Sequence, residues 1–313
     1  MEDWISNYRK NVLPHLKGET KFGEEMAGRT TFRIGGPALV FVEAQCEEDL
    51  SLIAEFLAEN KRIGYQILGG GSNVLYPERF EGIVIHPGEG LAQISQKKGL
   101  IIAGSGASLM EVIKKSAEWN YGGLEYCAGI PGSVGGAVKG NAGAFGHSIS
   151  ERVASIKGYE MAELKKVELK AEEISWSYRK SNLPDTLFLT EIALKLEPTN
   201  VSEAMDEIAR ILAQRMEKHP SEPSAGSVFI NPAPPRVTAG RLIEELGFKG
   251  RRIGDAMCSP RHANFIVNVG NASQADVLAL ISEIKKEVMK KFGIELREEI
   301  RIVKAKSMEA LNG

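Results

Sequence analysis

The spacing of apolar residues along the chain predicts five amphipathic helices. Ser108, with Glu111 three residues later, predicts a capping box at the third of them, and Ser273 predicts an N-cap at the last. The apolar faces repeat every three or four positions. They are Trp4, Ile5, Tyr8 and Val12 in residues 3–16; Leu50, Ile53 and Leu57; Leu109, Val112 and Ile113; Val201, Met205, Ile208 and Leu212; and Val277, Ile281, Ile284 and Val288.

Short apolar runs and alternating patterns predict the strands. They cover residues 39–42, 65–68, 83–85, 100–104, 153–159, 167–169, 187–196 and 294–303. Helices and strands mix without a regular strand-helix-strand repeat, so the predicted fold class is α+β rather than a doubly wound sheet.

The two ends of the chain differ in composition. Glycine is concentrated in the first half of the 313 residues, whereas prolines cluster after residue 197. A length of 313 residues favours about two domains. We therefore predict a boundary between residues 197 and 198, with an N-terminal helix in residues 1–20.

Charge and cysteine content exclude several classes of partner. A net charge of −2 offers no general attraction to nucleic acid or anionic lipid, so neither is a predicted partner. No apolar run is long enough to span a membrane, and the N-terminus has no apolar signal segment, which predicts a cytoplasmic protein. Three cysteines do not suffice for a disulfide framework, and five histidines show no ligand spacing, so no metal is predicted.

Three glycine clusters are the strongest chemical signal in the sequence. They are Gly35-Gly36, residues 69–73 (GGGSN) and residues 132–136 (GSVGG), the last followed by Gly140 and Gly143. Backbone amides in such turns can bind an anion, which makes a pyrophosphate the expected ligand; tight turns without a ligand are the alternative. Neither a complete Rossmann fingerprint nor a Walker loop is present.

The glycine clusters lie within longer motifs that resemble a known enzyme family. TTFRIGGPA (residues 30–38), LGGGSNVL (68–75) and GLEYCAGIPGSVGGAVKGNAGAFG (123–146) are similar to the flavin-binding segments of UDP-N-acetylenolpyruvoylglucosamine reductases. YRKS (178–181), GSVFINP (226–232) and EIR (299–301) are similar, in the same order, to its later motifs. The resemblance covers about residues 20–304, and the short separation of Arg179 and Ser227 indicates the type without the tyrosine loop.

The resemblance implies a fold and a reaction. The fold is that of vanillyl-alcohol-oxidase (PCMH-type) flavoproteins, with FAD bound non-covalently by residues 21–197 in two subdomains (about 21–90 and 91–197) and a substrate-binding domain in residues 198–313. NADPH, as co-substrate, reduces FAD, which then reduces the enolpyruvyl ether of UDP-N-acetylglucosamine to UDP-N-acetylmuramate. The partner is thus a small molecule, and a monomer is expected.

The resemblance also implies the site residues. Arg179, Ser227 and Glu299 are expected to be catalytic: Arg179 to stabilise the developing charge, Ser227 to donate a proton, and Glu299 to assist if burial raises its pKa. Tyr178, Lys218 and Asn231 are expected to bind substrate. The expected FAD-binding residues are Arg33, Gly35, Gly69, Gly70, Gly71, Ser72, Asn73, Gly132, Ser133, Gly136, Asn141 and Gly143.

One position departs from the family pattern. Ile230 stands where the motif usually has lysine, so a cation expected near the substrate is missing, unless Arg236 or Lys249 supplies it. Two alternative functions stay open: another FAD oxidoreductase of the same fold, and a catalytically silent nucleotide-binding protein. The joint presence of Arg179, Ser227 and Glu299 argues against both.

Overall fold

The computed structural model describes residues 3–234 and 236–305. Helices and strands are mixed throughout these residues, in agreement with the predicted α+β class. The α-helices are α1 (Asp3–Asn11), α2 (Glu47–Glu59), α3 (Leu109–Glu118), α4 (Val134–Lys139), α5 (Val201–Lys218), α6 (Ala239–Glu245) and α7 (Gln274–Phe292).

The longer strands form three sheets. In spatial order, the first sheet contains Glu19–Glu25, Pro37–Ala44, Phe80–Pro87 and Gly64–Ile67; the second contains Lys165–Lys170, Val153–Glu160, Leu187–Leu194, Leu100–Gly104 and Ile94–Lys97; and the third contains Ser224–Ser227, Phe265–Asn268, Ala256–Cys258 and Arg252–Ile253. Two-residue strands form further pairs: Gly143–Ala144 with His147–Ser148, Trp176–Ser177 with Lys180–Ser181, Tyr121–Gly122 with Glu197–Pro198, and Val74–Leu75 with Arg301–Ile302.

Each sheet packs against helices and so buries an apolar core. The first core lies between the first sheet and helices α1 and α2. The second core lies between the second sheet and helices α3, α4 and α5, and the third between the third sheet and helices α6 and α7. The third core also contains Phe32, Ile34 and Leu75, which come from the N-terminal part of the chain. The C-terminal part is therefore packed onto the N-terminal part by shared apolar burial.

Helix α5 buries a different face from the one that the sequence predicts. The structure buries Ala204, Ile208 and Ile211 in the second core, whereas Val201 and Met205 are 40% and 39% exposed. The predicted face was wrong at these two residues because the spacing fits both stripes and only the neighbouring helix selects one. The boundary at 197/198 stays a prediction. Because α5 packs on the second core, we propose that the C-terminal domain begins after α5.

Several local predictions are confirmed and others are wrong. Ser273 caps α7 with Asp276 in a capping box, and Val277, Ile281, Ile284 and Val288 are buried as predicted. Ser108 precedes α3 but makes no side-chain cap, and Glu111 pairs with Lys115 instead of completing a capping box. The N-terminal helix ends at Asn11 and is followed by a 3-10 turn, Leu13–His15, which Pro14 favours.

The strand predicted over residues 294–303 is mostly absent. The regular strand is only Arg301–Ile302, preceded by an isolated bridge between Phe229 and Glu298. This segment crosses from the third sheet to Val74–Leu75, so its backbone hydrogen bonds go to two different partners. That crossing carries Glu299 past the junction of the N-terminal and C-terminal parts.

Candidate active site

Arg179 lies in the turn of a short hairpin at the edge of the second core. The paired strands are Trp176–Ser177 and Lys180–Ser181, so Tyr178 and Arg179 form the turn. Arg179 has φ 59°, a left-handed conformation that is unfavourable for a residue with a Cβ. Its Nη1 donates a hydrogen bond to the Gly143 carbonyl at 2.6 Å. The hairpin therefore presents a guanidinium at a defined place.

Glu299 faces this guanidinium from the C-terminal part. Its Oε1 lies 3.1 Å from Arg179 Nε, and the two side chains are 21% and 26% exposed. The Glu299 backbone is held on both sides, since its N–H donates to the Val228 carbonyl at 2.7 Å and its carbonyl accepts from Asn73 Nδ2 at 3.1 Å. Burial raises the pKa of Glu299, and the charge of Arg179 opposes this rise without cancelling it. The assisting role expected for Glu299 requires this raised pKa.

Ser227 ends the strand Ser224–Ser227 and directly precedes Val228, the residue that accepts the Glu299 hydrogen bond. Gly226 before it has φ 78°, which glycine adopts without strain. Ser227 is half-buried, and within residues 3–234 and 236–305 its hydroxyl makes no hydrogen bond. The hydroxyl is thus available to a ligand. The structure brings the three expected catalytic residues to one junction.

Two of the three expected substrate residues lie at the same junction. Asn231 Nδ2 donates to the Tyr178 hydroxyl at 3.3 Å, and Asn231 Oδ1 accepts from the Ala239 N–H at 3.0 Å. Tyr178 is 49% exposed. Lys218 is exposed at the end of α5, and among the described residues it forms no ion pair.

Arg215, one turn before Lys218, is a residue that the sequence analysis missed. Its Nη2 donates to the Tyr126 carbonyl at 3.4 Å, and its guanidinium lies 5.8 Å from the ring centre of Phe145. Its Nε is buried and has no hydrogen-bond partner among the residues that the structure describes. Burial lowers the pKa of Arg215, and Arg179 adds repulsion. A signal existed, because Arg215 continues the stripe of Ala204, Ile208 and Ile211 that α5 buries.

Lys249 does not replace the cation that is missing at position 230. Lys249 Nζ lies 2.6 Å from Glu244 Oε1, which neutralises it, and Arg236 is exposed. The Ile230 N–H donates to the Arg297 carbonyl at 2.9 Å. Arg297 therefore lies opposite Ile230 in the backbone pairing.

The glycine loops at residues 69–73 and 132–136 pack directly on each other. A Cβ on Gly70 would lie 2.5 Å from Gly132 Cα, and one on Gly69 would lie 2.5 Å from Ser133 Oγ. Ser72 Oγ donates to the Pro131 carbonyl at 2.8 Å, which joins the loops further. The close contact between the loops therefore requires glycine at these positions, whether or not a ligand also binds there.

The loop of residues 30–36 joins the same cluster. The Thr31 N–H donates to the Gly71 carbonyl at 3.0 Å, and a Cβ on Gly35 would lie 2.5 Å from Tyr76 Cβ. Arg33 is exposed at φ 55°. Gly70, Asn73 and Gly136 are also exposed, so the three loops together present an open backbone edge with a cation beside it. Such an edge fits the phosphates of a dinucleotide.

Four expected FAD-binding residues, Gly71 among them, are buried and have contacts within the protein instead of an open surface. Ser133 is buried, and its Oγ accepts from the Gly136 N–H at 3.3 Å as the cap of α4. Asn141 is buried and bonds to the backbone of the Arg179 hairpin, and Gly143 is buried with its carbonyl bound to Arg179. Their contact with a cofactor stays a prediction.

Two kinds of feature are absent from the described residues. No group of three or more His, Cys, Asp or Glu side chains in residues 3–234 and 236–305 is arranged to hold a metal ion. In the same residues, no helix combines the length and the apolar character that a membrane crossing requires.

Two family models match this chain. Residues 38–162 match the model of an FAD-binding domain. Residues 216–303 match the model of the UDP-N-acetylenolpyruvoylglucosamine reductase C-terminal domain. The first match covers the glycine loops at residues 69–73 and 132–136, and the second covers Ser227 and Glu299.

Known proteins are similar over nearly the whole chain. The UDP-N-acetylenolpyruvoylglucosamine reductase of Pseudothermotoga lettingae is 40% identical over 286 residues, which is 91% of this chain and 98% of that one. The Carboxydothermus hydrogenoformans protein of the same name is 38% identical, with 94% and 97% covered. The crystal structure of UDP-N-acetylenolpyruvylglucosamine reductase from Thermus caldophilus superposes with a TM-score of 0.75 at 33% identity, and covers 92% of this chain and 100% of its own.

Proposed function

The chain belongs to the UDP-N-acetylenolpyruvoylglucosamine reductase family, and from that premise we propose how its residues carry out the reaction. The family is an FAD-dependent oxidoreductase family of peptidoglycan precursor synthesis. The proposed substrate is the enolpyruvyl ether of UDP-N-acetylglucosamine, with NADPH as the reductant. When bound, FAD supplies the CH₂ terminus of the enolpyruvyl group with the hydride that it received from NADPH.

One observation supports the proposal most strongly. Arg179, Ser227 and Glu299 are separated by 48 and 72 positions in the chain, yet they meet where the C-terminal part contacts the hairpin. Hydride addition pushes negative charge onto the substrate carboxylate, and a fixed cation at that place lowers the barrier. Arg179 can hold the carboxylate with two parallel hydrogen bonds, because a guanidinium is a planar donor that keeps its charge.

Ser227 is the proposed proton donor. Its hydroxyl has no hydrogen bond within the described residues, so it can turn towards the substrate carbon next to the carboxylate. The proton and the hydride together saturate the carbon–carbon double bond. Burial raises the pKa of Glu299. In its protonated form, Glu299 can donate a hydrogen bond and so help to stabilise the negative charge that develops on the substrate.

The remaining residues would bind the two nucleotides. FAD fits the edge formed by Arg33, Gly70, Asn73 and Gly136, where backbone and a cation are exposed. Tyr178 and Asn231 flank the catalytic residues and would contact the substrate, with Lys218 and the half-buried Arg215 as cations for its phosphates. We propose that the protein acts as a monomer in the cytoplasm, since a single copy of the chain brings Arg179, Ser227 and Glu299 together.

A spectroscopic experiment tests the function. The purified protein should be yellow, and acid precipitation should release the colour into the supernatant, since the flavin is held without a covalent bond. Anaerobic NADPH should bleach the flavin, and the enolpyruvyl substrate should restore the colour. Bleaching without recovery on addition of this substrate would favour another flavoprotein oxidoreductase. A colourless protein that does not take up FAD would favour a silent nucleotide-binding protein.

A further inference from the structure

We propose that Asn141 and Ser181 are positioning residues that hold the turn carrying Arg179, an inference that rests on the proposed role of Arg179 in the reduction. Three hydrogen bonds join residues 139–143 to the hairpin of residues 176–181, and we call this set the hairpin clamp. Ser181 Oγ donates to the Lys139 carbonyl at 2.8 Å, and Asn141 Nδ2 donates to the Ser177 carbonyl at 2.9 Å. The third bond joins Arg179 Nη1 to the Gly143 carbonyl.

The clamp explains how Arg179 keeps an unfavourable backbone conformation. A non-glycine residue at φ 59° costs on the order of 1 to 3 kcal/mol and persists only where the surroundings hold it. The Asn141 bond reaches Ser177, two residues before Arg179, and the Ser181 bond lies two residues after it. The turn is therefore tied down on both of its strands.

Both the amide nitrogen and the amide oxygen of the Asn141 side chain are engaged in hydrogen bonds within the protein. Its Oδ1 accepts from the Ser150 N–H at 3.3 Å while its Nδ2 reaches Ser177, and the residue is 5% exposed. Asn141 itself has φ 43°, which asparagine tolerates better than most residues. These contacts favour a role through Arg179 over the expected direct contact with FAD.

The clamp also gives the glycine-rich segment a second task. Residues 132–136 of that segment face the loop of residues 69–73, whereas residues 139–143 support the hairpin. Helix α4 joins these two ends and is packed in the second core. A rigid connection of this kind fixes the distance between the expected flavin edge and the cation that receives the substrate. Misplacement of a catalytic group by about 1 Å can cost about 10²-fold in rate.

Asn141→Ala and Ser181→Ala test the clamp separately. In each holoenzyme, flavin content and bleaching by NADPH should match the wild type, whereas reoxidation by the enolpyruvyl substrate should slow by about 10-fold to 10²-fold. In an Arg179→Lys background, neither substitution should slow reoxidation much further, because a positioning residue has no effect without the group that it positions. Amide hydrogen exchange in residues 175–183 should become faster in both variants.

Asn60→Ala is the matched control. Asn60 Nδ2 donates to the Phe56 carbonyl at 2.8 Å at the C-terminal end of α2, so this variant loses the same kind of bond far from the hairpin. Reoxidation should be unchanged in it. If Asn141→Ala fails to fold, Ser181→Ala carries the test alone.

Three results would overturn the clamp. They are loss of flavin in proportion to loss of rate, a full additional loss of rate in the Arg179→Lys background, and unchanged reoxidation in both variants. If the wild-type enzyme itself is not reoxidised by the substrate, the proposed function fails instead, and hydrogen exchange in the hairpin still decides whether the clamp exists.

Discussion

Two interfaces between the C-terminal part of the molecule and the rest differ in how much apolar surface they bury. Against the N-terminal part, Phe32, Ile34 and Leu75 are buried inside the third core, and Arg301–Ile302 pairs with Val74–Leu75. Against the hairpin and the loop that follows it, the contacts are polar and partly exposed. They are Arg179 with Glu299, Asn231 with Tyr178, and Arg301 with Asp185 at 2.8 Å.

The apolar interface attaches the C-terminal part, whereas the polar interface holds the groups proposed for the reaction. Burial of large apolar side chains is stable without any ligand, so the first interface holds the C-terminal part in place. Partly exposed polar contacts contribute little net stability, because each can be exchanged for water or for a ligand group. The substrate carboxylate can therefore compete for Arg179 without breaking the fold. We expect substitutions at the polar interface to change rates and those at the apolar interface to change stability.

The largest effect is expected for Ser227→Ala at the polar interface. Reoxidation of the reduced flavin by the enolpyruvyl substrate should slow by about 10²-fold to 10⁴-fold, the range for a lost general acid. Bleaching by NADPH should persist, because it needs no proton from this hydroxyl. Stopped-flow absorbance separates the two steps, and Ser227→Cys should recover part of the rate. Equal loss in both steps would indicate damage to the cofactor site, and no loss in either would exclude Ser227 as the donor.

Phe32→Ala tests the apolar interface. Removal of this fully buried ring should lower the free energy of unfolding by about 3 to 5 kcal/mol in a urea titration. It should also loosen the C-terminal part, so limited proteolysis should cut the connection after α5 more readily. Phe188→Ala is the control, since Phe188 is similarly buried but lies in the first core, which is formed by residues 4–188. Similar cleavage in both variants would contradict a specific role of Phe32 in attachment.

Arg179→Lys examines the geometry of the polar interface. Turnover should fall by about 10²-fold or more, because a lysine cannot form the two parallel hydrogen bonds of a guanidinium. The urea midpoint should change little, as the ion pair with Glu299 is partly exposed. Steady-state kinetics with a matched unfolding curve checks both statements. Unchanged turnover would place Arg179 outside the site.

The smallest effect is expected in the stability of Glu299→Gln. The pKa of Glu299 is raised in the folded protein, so the folded state binds this proton more tightly than the unfolded state. Stability from this group is therefore present at low pH and decreases as the pH rises from the ordinary carboxyl range through the raised value. The variant lacks that decrease. Its melting temperature at pH 7 should equal or exceed that of the wild type, by up to about 2 °C, and a clear fall would contradict the direction.

The local elements of the fold could be predicted because their signals are local. The apolar stripe of α7 and its cap at Ser273 involve residues within a few positions of each other, and both were confirmed. The face of α5 could not be chosen, since Val201 and Met205 fit helical spacing as well as Ala204 does. The long final strand was wrong because residues 294–303 change partners between the third sheet and Val74–Leu75.

The sequence by itself determined the glycine loops, the order of the motifs and the residue types needed for the chemistry. Only the tertiary structure decided what those residues contact. Gly69 and Gly70 are required by a facing loop more than sixty residues away, and Asn141 bonds to the Arg179 hairpin. The raised pKa of Glu299 and the lowered pKa of Arg215 likewise depend on distant elements. The physical reason is that helical and strand periodicity reflects neighbours in the chain, whereas desolvation and electrostatic interaction depend on neighbours in space.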